Sequence, residues 1–188
     1  MNSFLELAQQ RRSYRKYTAQ PIEQEKIEQI LQAALMSPAS KRCNPWQFVV
    51  VTDHEVLSKM AGCRTYGSQM LTEAAAGILV CVDANLTDTW QCDGAIAAEH
   101  MLLEASDLGL GACWVQVYGR FADDRRVAGD DQNNEDALVS SEQLLRELTG
   151  VPDSLNILCI ISLGYKNEER KPRELDKLQY EKVHYGHY

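Results

Sequence analysis

Several motifs that reveal catalytic sites are missing from this sequence. It has no G-x-x-x-x-G-K-S/T loop for a nucleoside triphosphate, no G-x-S-x-G elbow for a nucleophilic serine and no H-E-x-x-H zinc site. Gly109-Leu110-Gly111 lacks the third glycine of a dinucleotide-binding fingerprint, and it precedes a strand-like run where the fingerprint precedes a helix. The sequence therefore argues against these ways of binding nucleotides, hydrolysing acyl bonds and holding zinc.

Positive charge and long apolar runs are also scarce. The 188 residues contain 27 Asp and Glu against 19 Lys and Arg, a formal net charge of −8. A nucleic-acid or anionic-membrane surface needs an excess of positive charge, so neither partner is expected. The amino terminus carries Glu6 and no apolar run of secretory length, so we expect a cytoplasmic protein.

The cysteines do not form a recognisable pair. Six cysteines occur without a C-x-x-C motif, and Cys81, Cys113 and Cys159 lie inside apolar runs, where a thiol behaves as a small apolar side chain. We expect reduced, structural cysteines. His184 and His187 are expected to be surface residues near the carboxyl terminus, so we expect no metal site.

The apolar pattern predicts one domain over residues 1–188, with four strands interleaved with helices. Strands are predicted at 46–51, 78–82, 111–117 and 157–163, where β-branched and aromatic residues cluster. Helical spacing predicts helices before a basic turn near residue 11, over about 23–35, over about 95–108 and after Ser140. This alternation indicates a mixed α/β or α+β layer structure.

Two segments have too little apolar content to belong to that core. Residues 118–139 are polar and mostly acidic, and they are predicted to form an exposed excursion. Residues from about 164 onward are charged and rich in tyrosine. This tail is predicted to run over another surface, which in an oligomer would be the partner subunit.

The segment Arg11-Arg12-Ser13-Tyr14-Arg15-Lys16-Tyr17 places four positive charges within seven positions of an acidic chain. Guanidinium groups bind phosphate oxygens two at a time, and a hydroxyl and backbone N–H groups can complete such a site. The segment therefore predicts an anion site, and the alternative is a solvated basic turn. Because no acid–base or nucleophilic set is evident, a phosphate-bearing cofactor that carries its own chemistry is the attractive interpretation.

Four pieces of the chain resemble, in order, the FMN-dependent nitroreductase family. They are residues 11–15, the loop 37–46, the helix-to-strand stretch 93–117, and Leu163-Gly164-Tyr165 followed by a basic tail. The resemblance covers nearly the whole chain. It implies an α+β fold with a mainly antiparallel central sheet flanked by helices, built as an intertwined homodimer with FMN at the interface.

The resemblance also implies which residues bind the cofactor. The FMN phosphate, ribityl chain and pyrimidine edge are matched by Arg11, Arg12, Ser13 and Arg15. Two late basic residues resemble those at the phosphate, Lys171 and Arg173. The loop that covers the flavin from the other subunit is matched by Pro38, Ala39, Ser40 and Asn44. The segment that supplies a backbone N–H near the flavin N5 is matched by Val115 and Gln116. A position that faces the ring lies near Gln69.

The activity implied is transfer of hydride from NADH or NADPH through FMN to an electron-poor acceptor such as a nitroaromatic or a quinone, with no obligatory protein acid or base. Two alternatives stay open: a specialised flavin reaction such as reductive dehalogenation or flavin breakdown, and a non-catalytic FMN-binding protein. The chain departs from the family pattern at Arg42, Asn44 and Lys166. The 118–139 excursion is longer than the compact pattern, and it is a candidate lid over the acceptor.

Overall fold

A four-stranded antiparallel sheet forms the centre of the structure, a computed structural model that describes residues 3–126 and 138–188. The described residues form six strands: β1 (Trp46–Val51), β2 (Ala76–Val82), β3 (Gly111–Gln116), β4 (Phe121–Arg126), β5 (Leu138–Ser140) and β6 (Asn156–Gly164). The central sheet has the order β1-β2-β6-β3, and all three of its pairings are antiparallel. The α+β class and the four predicted strands are confirmed.

Five α-helices flank the sheet in the described part of the chain: α1 (Phe4–Gln10), α2 (Gln24–Leu35), α3 (His54–Met60), α4 (Trp90–Asp107) and α5 (Ser141–Thr149). Their ends carry the expected signals, since Asp53 and Ser140 accept backbone N–H groups at the starts of α3 and α5, and Gly150 ends α5 at φ 72°. None of the helices in the described ranges has the length and apolar character needed to cross a bilayer.

Both faces of the central sheet are buried. All residues of β2 are buried, and they alternate between two apolar clusters, as the period of two along a strand requires. Ile78 and Val80 pack in the cluster that contains residues of α2 and α4, whereas Leu79 packs in the cluster that contains residues of α3 and α5. At Gly94, α4 approaches the sheet so closely that a Cβ would lie 2.7 Å from a methyl carbon of Leu158.

The ends of the predicted 118–139 excursion form a second, two-stranded sheet. Strand β4 pairs antiparallel with β5, and the side chains of Ala122 and Val139 are buried. The sequence pattern did not predict these two strands, because polar residues fill most of the segment. Residues 127–137, the middle of the excursion, lie outside the described residues, so its role as a lid stays a prediction.

The basic segment after α1 crosses the end of the central sheet. Ser13 forms a parallel bridge to Ala112 of β3, and Tyr17 forms an antiparallel bridge to Lys166 just after β6. The Tyr14 N–H donates to the Ala112 carbonyl at 3.0 Å. These backbone contacts fix the positions of the charged side chains in between.

Two glycines allow this close approach. A Cβ at Gly164 would lie 2.7 Å from three side-chain atoms of Tyr17, and a Cβ at Gly111 would lie 2.9 Å from the Cβ of Tyr14. Real Cβ atoms do not come this near to other carbon atoms, so any larger residue would push the basic segment off the sheet.

Candidate functional site

A cleft of about 410 Å³ lies between the basic segment and the carboxyl-terminal tail. Its lining is formed by Arg12, Lys171, Pro172, Arg173, Glu174, Lys177, Leu178 and Gln179, and we call it the basic cleft. Lys177 is paired with Glu174 at 2.5 Å. The other three cations, Arg12, Lys171 and Arg173, have no ion pair within the described residues. Unpaired cations that converge on a concave surface favour a bound anion.

Backbone contacts between the two ends of the chain build the basic cleft. The Arg12 guanidinium donates to the Lys171 carbonyl at 3.0 Å. Gln9 and Arg173 form a reciprocal pair, in which the Gln9 side chain donates to the Arg173 carbonyl at 2.9 Å and the Arg173 N–H donates to the Gln9 carbonyl at 3.0 Å. This Gln9–Arg173 clasp brings together predicted site residues that are about 160 positions apart in the sequence.

The remaining predicted residues of the basic segment lie beside the cleft. Its lining includes neither Arg11 nor Arg15. The Nε of Arg11 lies 3.7 Å from a carboxylate oxygen of Glu99 on α4. The Arg15 side chain is exposed, and its backbone N–H donates to Glu168 at 2.6 Å. Ser13 sits against β3 through its bridge to Ala112.

A second cleft of about 580 Å³ adjoins the basic cleft, and the two share Lys171 and Pro172. The ammonium of Lys166 lies 5.0 Å from the centre of the Tyr14 ring in this second cleft, and burial lowers its pKa. Glu168 is held by Arg170 at 2.6 Å. The departure from the family pattern at Lys166 therefore adds a half-buried cation next to the basic cleft.

The outer edge of β3 begins beside Ser13 and ends at Gln116. Because the Ala112 carbonyl accepts from Tyr14 on the outer side, the alternation of a strand turns the backbone groups of Trp114 and Gln116 to that side as well. Val115 turns its backbone toward β6, where it pairs with Ile160. Of the two residues predicted near a cofactor ring, Gln116 is therefore the one with a backbone N–H on the outer edge, roughly 13 Å along the strand from Ala112.

The side chains near Gln116 hold each other in place. The Trp114 ring N–H donates to the Gln116 side-chain oxygen at 3.0 Å, and the Gln116 side-chain amide donates to the Tyr118 carbonyl at 3.0 Å. Tyr118 stacks edge-to-face on Trp90, with ring centres 4.7 Å apart. The end of β3 is thus a fixed platform.

The loop that contains the predicted residues Pro38, Ala39, Ser40 and Asn44 has a constrained backbone. The Ser40 N–H donates to buried Asp93 at 2.8 Å, and the Ser40 hydroxyl shares a hydrogen bond with Thr89 at 2.6 Å. Three residues of the loop have positive φ without being glycine: Lys41 at 53°, Arg42 at 57° and Asn44 at 44°. Each such residue costs about 1 kcal/mol, least for asparagine, so the anchors must compensate.

The side chain of Gln69 forms hydrogen bonds within its own turn. Its oxygen accepts from the Gly67 N–H at 2.9 Å, and its amide donates to the Thr65 carbonyl at 2.9 Å. The structure therefore gives Gln69 a local role, and its contact with a ring stays a prediction.

Three buried thiols are unsuited to a nucleophilic role. Burial raises the pKa of Cys63 to about 11 and that of Cys81 to about 12, and it also raises the pKa of Cys113 on β3. These thiols are protonated at neutral pH and are poor nucleophiles. The described residues contain no group of three or more His, Cys, Asp or Glu side chains that could hold a metal ion.

Some residues of the site were not predicted from the sequence. Gln9 has no charge to mark it, and Glu168, which holds the Arg15 backbone, looks like any acidic surface residue. Lys177 could have been included, because it continues the basic spacing of Lys171 and Arg173. Asp93, the anchor of the 40–44 loop, lay within the resembling 93–117 stretch but was given no role.

Comparisons with known proteins identify the family of this chain. The family model described as "Nitroreductase family" matches residues 8–89 and 63–165. A protein of Archaeoglobus fulgidus, whose name offers NADH dehydrogenase and NAD(P)H nitroreductase as alternatives, is 38% identical over 180 residues, 94% of this chain and 92% of its own. The NADPH-flavin oxidoreductase of Vibrio harveyi is 30% identical over 191 residues, 92% of this chain and 70% of its own. The solved structure of an FMN-dependent nitroreductase from Clostridium difficile R20291 has a TM-score of 0.89 at 37% identity and covers 98% of this chain and 100% of its own. The chain belongs to the nitroreductase family, as its sequence predicted.

Proposed function

We propose that this protein is a homodimeric, NAD(P)H-dependent FMN oxidoreductase that reduces electron-poor acceptors. The observation that carries the proposal is the basic cleft at one end of the outer edge of β3, with the Gln116 N–H at the other end. The names of the relatives from Clostridium difficile and Vibrio harveyi support FMN as the cofactor and NADPH as a reductant.

The residues present fit FMN. A phosphate monoester carries a charge of about −1.5 to −2 at neutral pH, and the three unpaired cations of the basic cleft can neutralise it. Arg12, Lys171 and Arg173 would hold the phosphate, and Ser13 and the strand edge beside it would hold the ribityl chain. Arg15 would lie at the pyrimidine edge, where a guanidinium favours negative charge on the ring.

Bound FMN would supply the redox chemistry, by taking hydride from NADH or NADPH and passing it to an acceptor such as a nitroaromatic or a quinone. The chain's own task is to position and polarise. Gln116 offers a backbone N–H at a fixed place, because Trp114 and Tyr118 hold its side chain. With the buried thiols of Cys63, Cys81 and Cys113 protonated, we propose that no side chain is an obligatory acid, base or nucleophile in the reaction.

A second copy of the chain would cover the exposed apolar surface. Helix α1 has no buried residue, and its Phe4 and Leu5 are 68% and 74% exposed. In the tail, Leu175, Leu178 and Tyr180 are exposed as well. Apolar patches of this kind mark interfaces. We propose that they meet in a homodimer, in which the tail packs on the partner and the loop residues Pro38, Ala39, Ser40 and Asn44 cover the partner's flavin.

The free state of all six cysteines is in keeping with a cytoplasmic location, where thiols are kept reduced. We propose that location for the protein.

The proposal is tested by the absorbance spectrum of the purified protein without oxygen. We expect a bound flavin that is bleached by NADH or NADPH and recovers its colour when a nitroaromatic or a quinone is added. A flavin that neither NADH nor NADPH bleaches would point to a specialised flavin reaction. A flavin that is bound but turns over with no acceptor would point to a non-catalytic FMN-binding protein.

A further inference from the structure

Three residues of the 40–44 loop, Arg42 among them, have a backbone conformation that residues other than glycine disfavour. Lys41, Arg42 and Asn44 have φ values of 53°, 57° and 44°. Asparagine adopts this region more readily than most residues, but lysine and arginine do not. Strained positions of this kind persist where the surroundings hold them, and they concentrate at ligand-binding and active sites.

The surroundings of the loop do hold it. Asp93, which is only 2% exposed, accepts from the Ser40 N–H, and the Cys43 N–H donates back to the Ser40 carbonyl at 3.1 Å. Neither contact involves the side chain of Arg42. Lys41 pairs with Asp88 at 3.7 Å, whereas Arg42 is exposed and has no ion pair within the described ranges. The Arg42 backbone N–H donates to the Ala39 carbonyl at 3.2 Å, but the Arg42 side chain is exposed and forms no ion pair that would hold the loop within the described ranges.

The loop lies at the same end of the central sheet as the Gln116 N–H. It leads directly into Trp46 of β1, which pairs with Val82 at the end of β2. Val82 pairs with Asn156 at the start of β6, and Gln116 pairs with Cys159 of that strand. Three strand spacings separate the two edges, roughly 14 Å. In the proposed homodimer this loop covers the partner's flavin, so the exposed guanidinium of Arg42 would lie where substrates approach that ring.

We propose that Arg42 binds an anionic oxygen pair on a substrate that visits the flavin, either the 2′-phosphate of NADPH or the carboxylate of an aromatic acceptor. This inference rests on the proposed function and adds the charge of the substrate to it. A planar guanidinium matches two oxygens of a phosphate or a carboxylate. In a chain with a formal net charge of −8, a local cation also offsets the repulsion that an anionic substrate meets.

The test measures equilibrium binding to the FMN-loaded protein, without turnover. Isothermal titration calorimetry compares NADP⁺ with NAD⁺, and 4-nitrobenzoate with 4-nitrobenzamide, so that each pair differs in one anionic group. The variants are Arg42→Gln and the matched control Lys41→Gln, which removes a neighbouring charge from the same loop at a similar φ. Flavin content per protomer shows whether each variant is intact.

We expect Arg42→Gln to weaken binding of one pair's member that carries the extra anionic group about tenfold, and to leave the member without that group within about twofold. Loss with NADP⁺ identifies the donor phosphate, and loss with 4-nitrobenzoate identifies the acceptor carboxylate. Lys41→Gln should change neither. The inference is overturned if Arg42→Gln leaves all four affinities unchanged, changes them all alike, or matches Lys41→Gln. Failure of the proposed function would show separately, as a bound flavin that NADH and NADPH do not bleach.

Discussion

Substitution of Arg12 by alanine should remove most of the preference of the apoprotein for FMN over riboflavin. A guanidinium has five N–H groups. One N–H of Arg12 donates to the Lys171 carbonyl, so four remain for a phosphate. A hydrogen bond to a charged group contributes about 1.5–3 kcal/mol, which corresponds to roughly a 10- to 150-fold change in the dissociation constant. We expect the FMN-to-riboflavin affinity ratio to fall by a factor in that range.

Riboflavin separates the contribution of the basic cleft to phosphate binding from a general loss of flavin binding. Disturbance of the ring site weakens FMN and riboflavin alike and leaves the ratio of the two affinities unchanged, whereas loss of the Arg12 guanidinium, or of the position that it gives Lys171, lowers the ratio. The assay is quenching of flavin fluorescence in titrations of the apoprotein, repeated at two salt concentrations, because the phosphate contribution is screened by salt.

Arg170→Ala is the matched control for Arg12→Ala. Arg170 belongs to the same stretch of tail but is held by Glu168 and does not line the basic cleft. The FMN-to-riboflavin affinity ratio of Arg170→Ala should stay within about twofold of the wild-type ratio. An Arg12→Ala protein that keeps the wild-type ratio would refute the assignment of the basic cleft to the phosphate.

Further expectations concern stability and assembly. Gly164→Ala should lower the free energy of unfolding by about 1–3 kcal/mol, since its Cβ would collide with Tyr17, whereas Gly62→Ala, which meets nothing within 4 Å, should change it by under about 0.5 kcal/mol in urea titrations. Burial raises the pKa of Cys63 from 9.0 to about 11, so its contribution to stability is complete below pH 9 and is lost as the pH rises to 11. Cys63→Ala should therefore lose less stability than wild type over that interval, and an equal loss in both proteins would contradict this origin. Leu5→Glu on exposed α1 should convert a dimer to a monomer in size-exclusion chromatography with light scattering, while the loop variant Leu86→Glu should stay dimeric.

The strands of the central sheet could be predicted because each is a run of apolar residues buried on both faces. Strand β2, for example, has no polar position to confuse the pattern. Strands β4 and β5 could not be predicted in this way, since polar residues fill most of β4 and the pairing joins segments on either side of a polar stretch. Helix α4 begins at Trp90, about five residues before the predicted start, because the polar first turn has no helical apolar spacing.

The sequence indicated which residue types the candidate site contains, but it did not show how the fold arranges them. Arginine-rich composition and the family resemblance pointed to Arg12, Lys171 and Arg173, which the structure brings to one cleft. The choice of Gln116 over Val115 needed the register of β3, because only the pairing shows which edge of a strand is free. The role of Gln9 needed the fold itself, since nothing local to Gln9 marks a contact with residue 173.

The Gln9–Arg173 clasp also sets the moment at which the basic cleft of a growing polypeptide can first form. Contacts that join distant positions form only after both partners exist, and closing so long a loop is slow compared with forming a helix. During translation, Arg12 is synthesised long before Lys171 and Arg173. The basic cleft therefore stays incomplete until nearly the whole chain has been made. If the basic cleft holds the flavin phosphate as proposed, flavin loading follows translation, and a chain that ends before Lys171 would bind flavin weakly even with the strands of its central sheet complete.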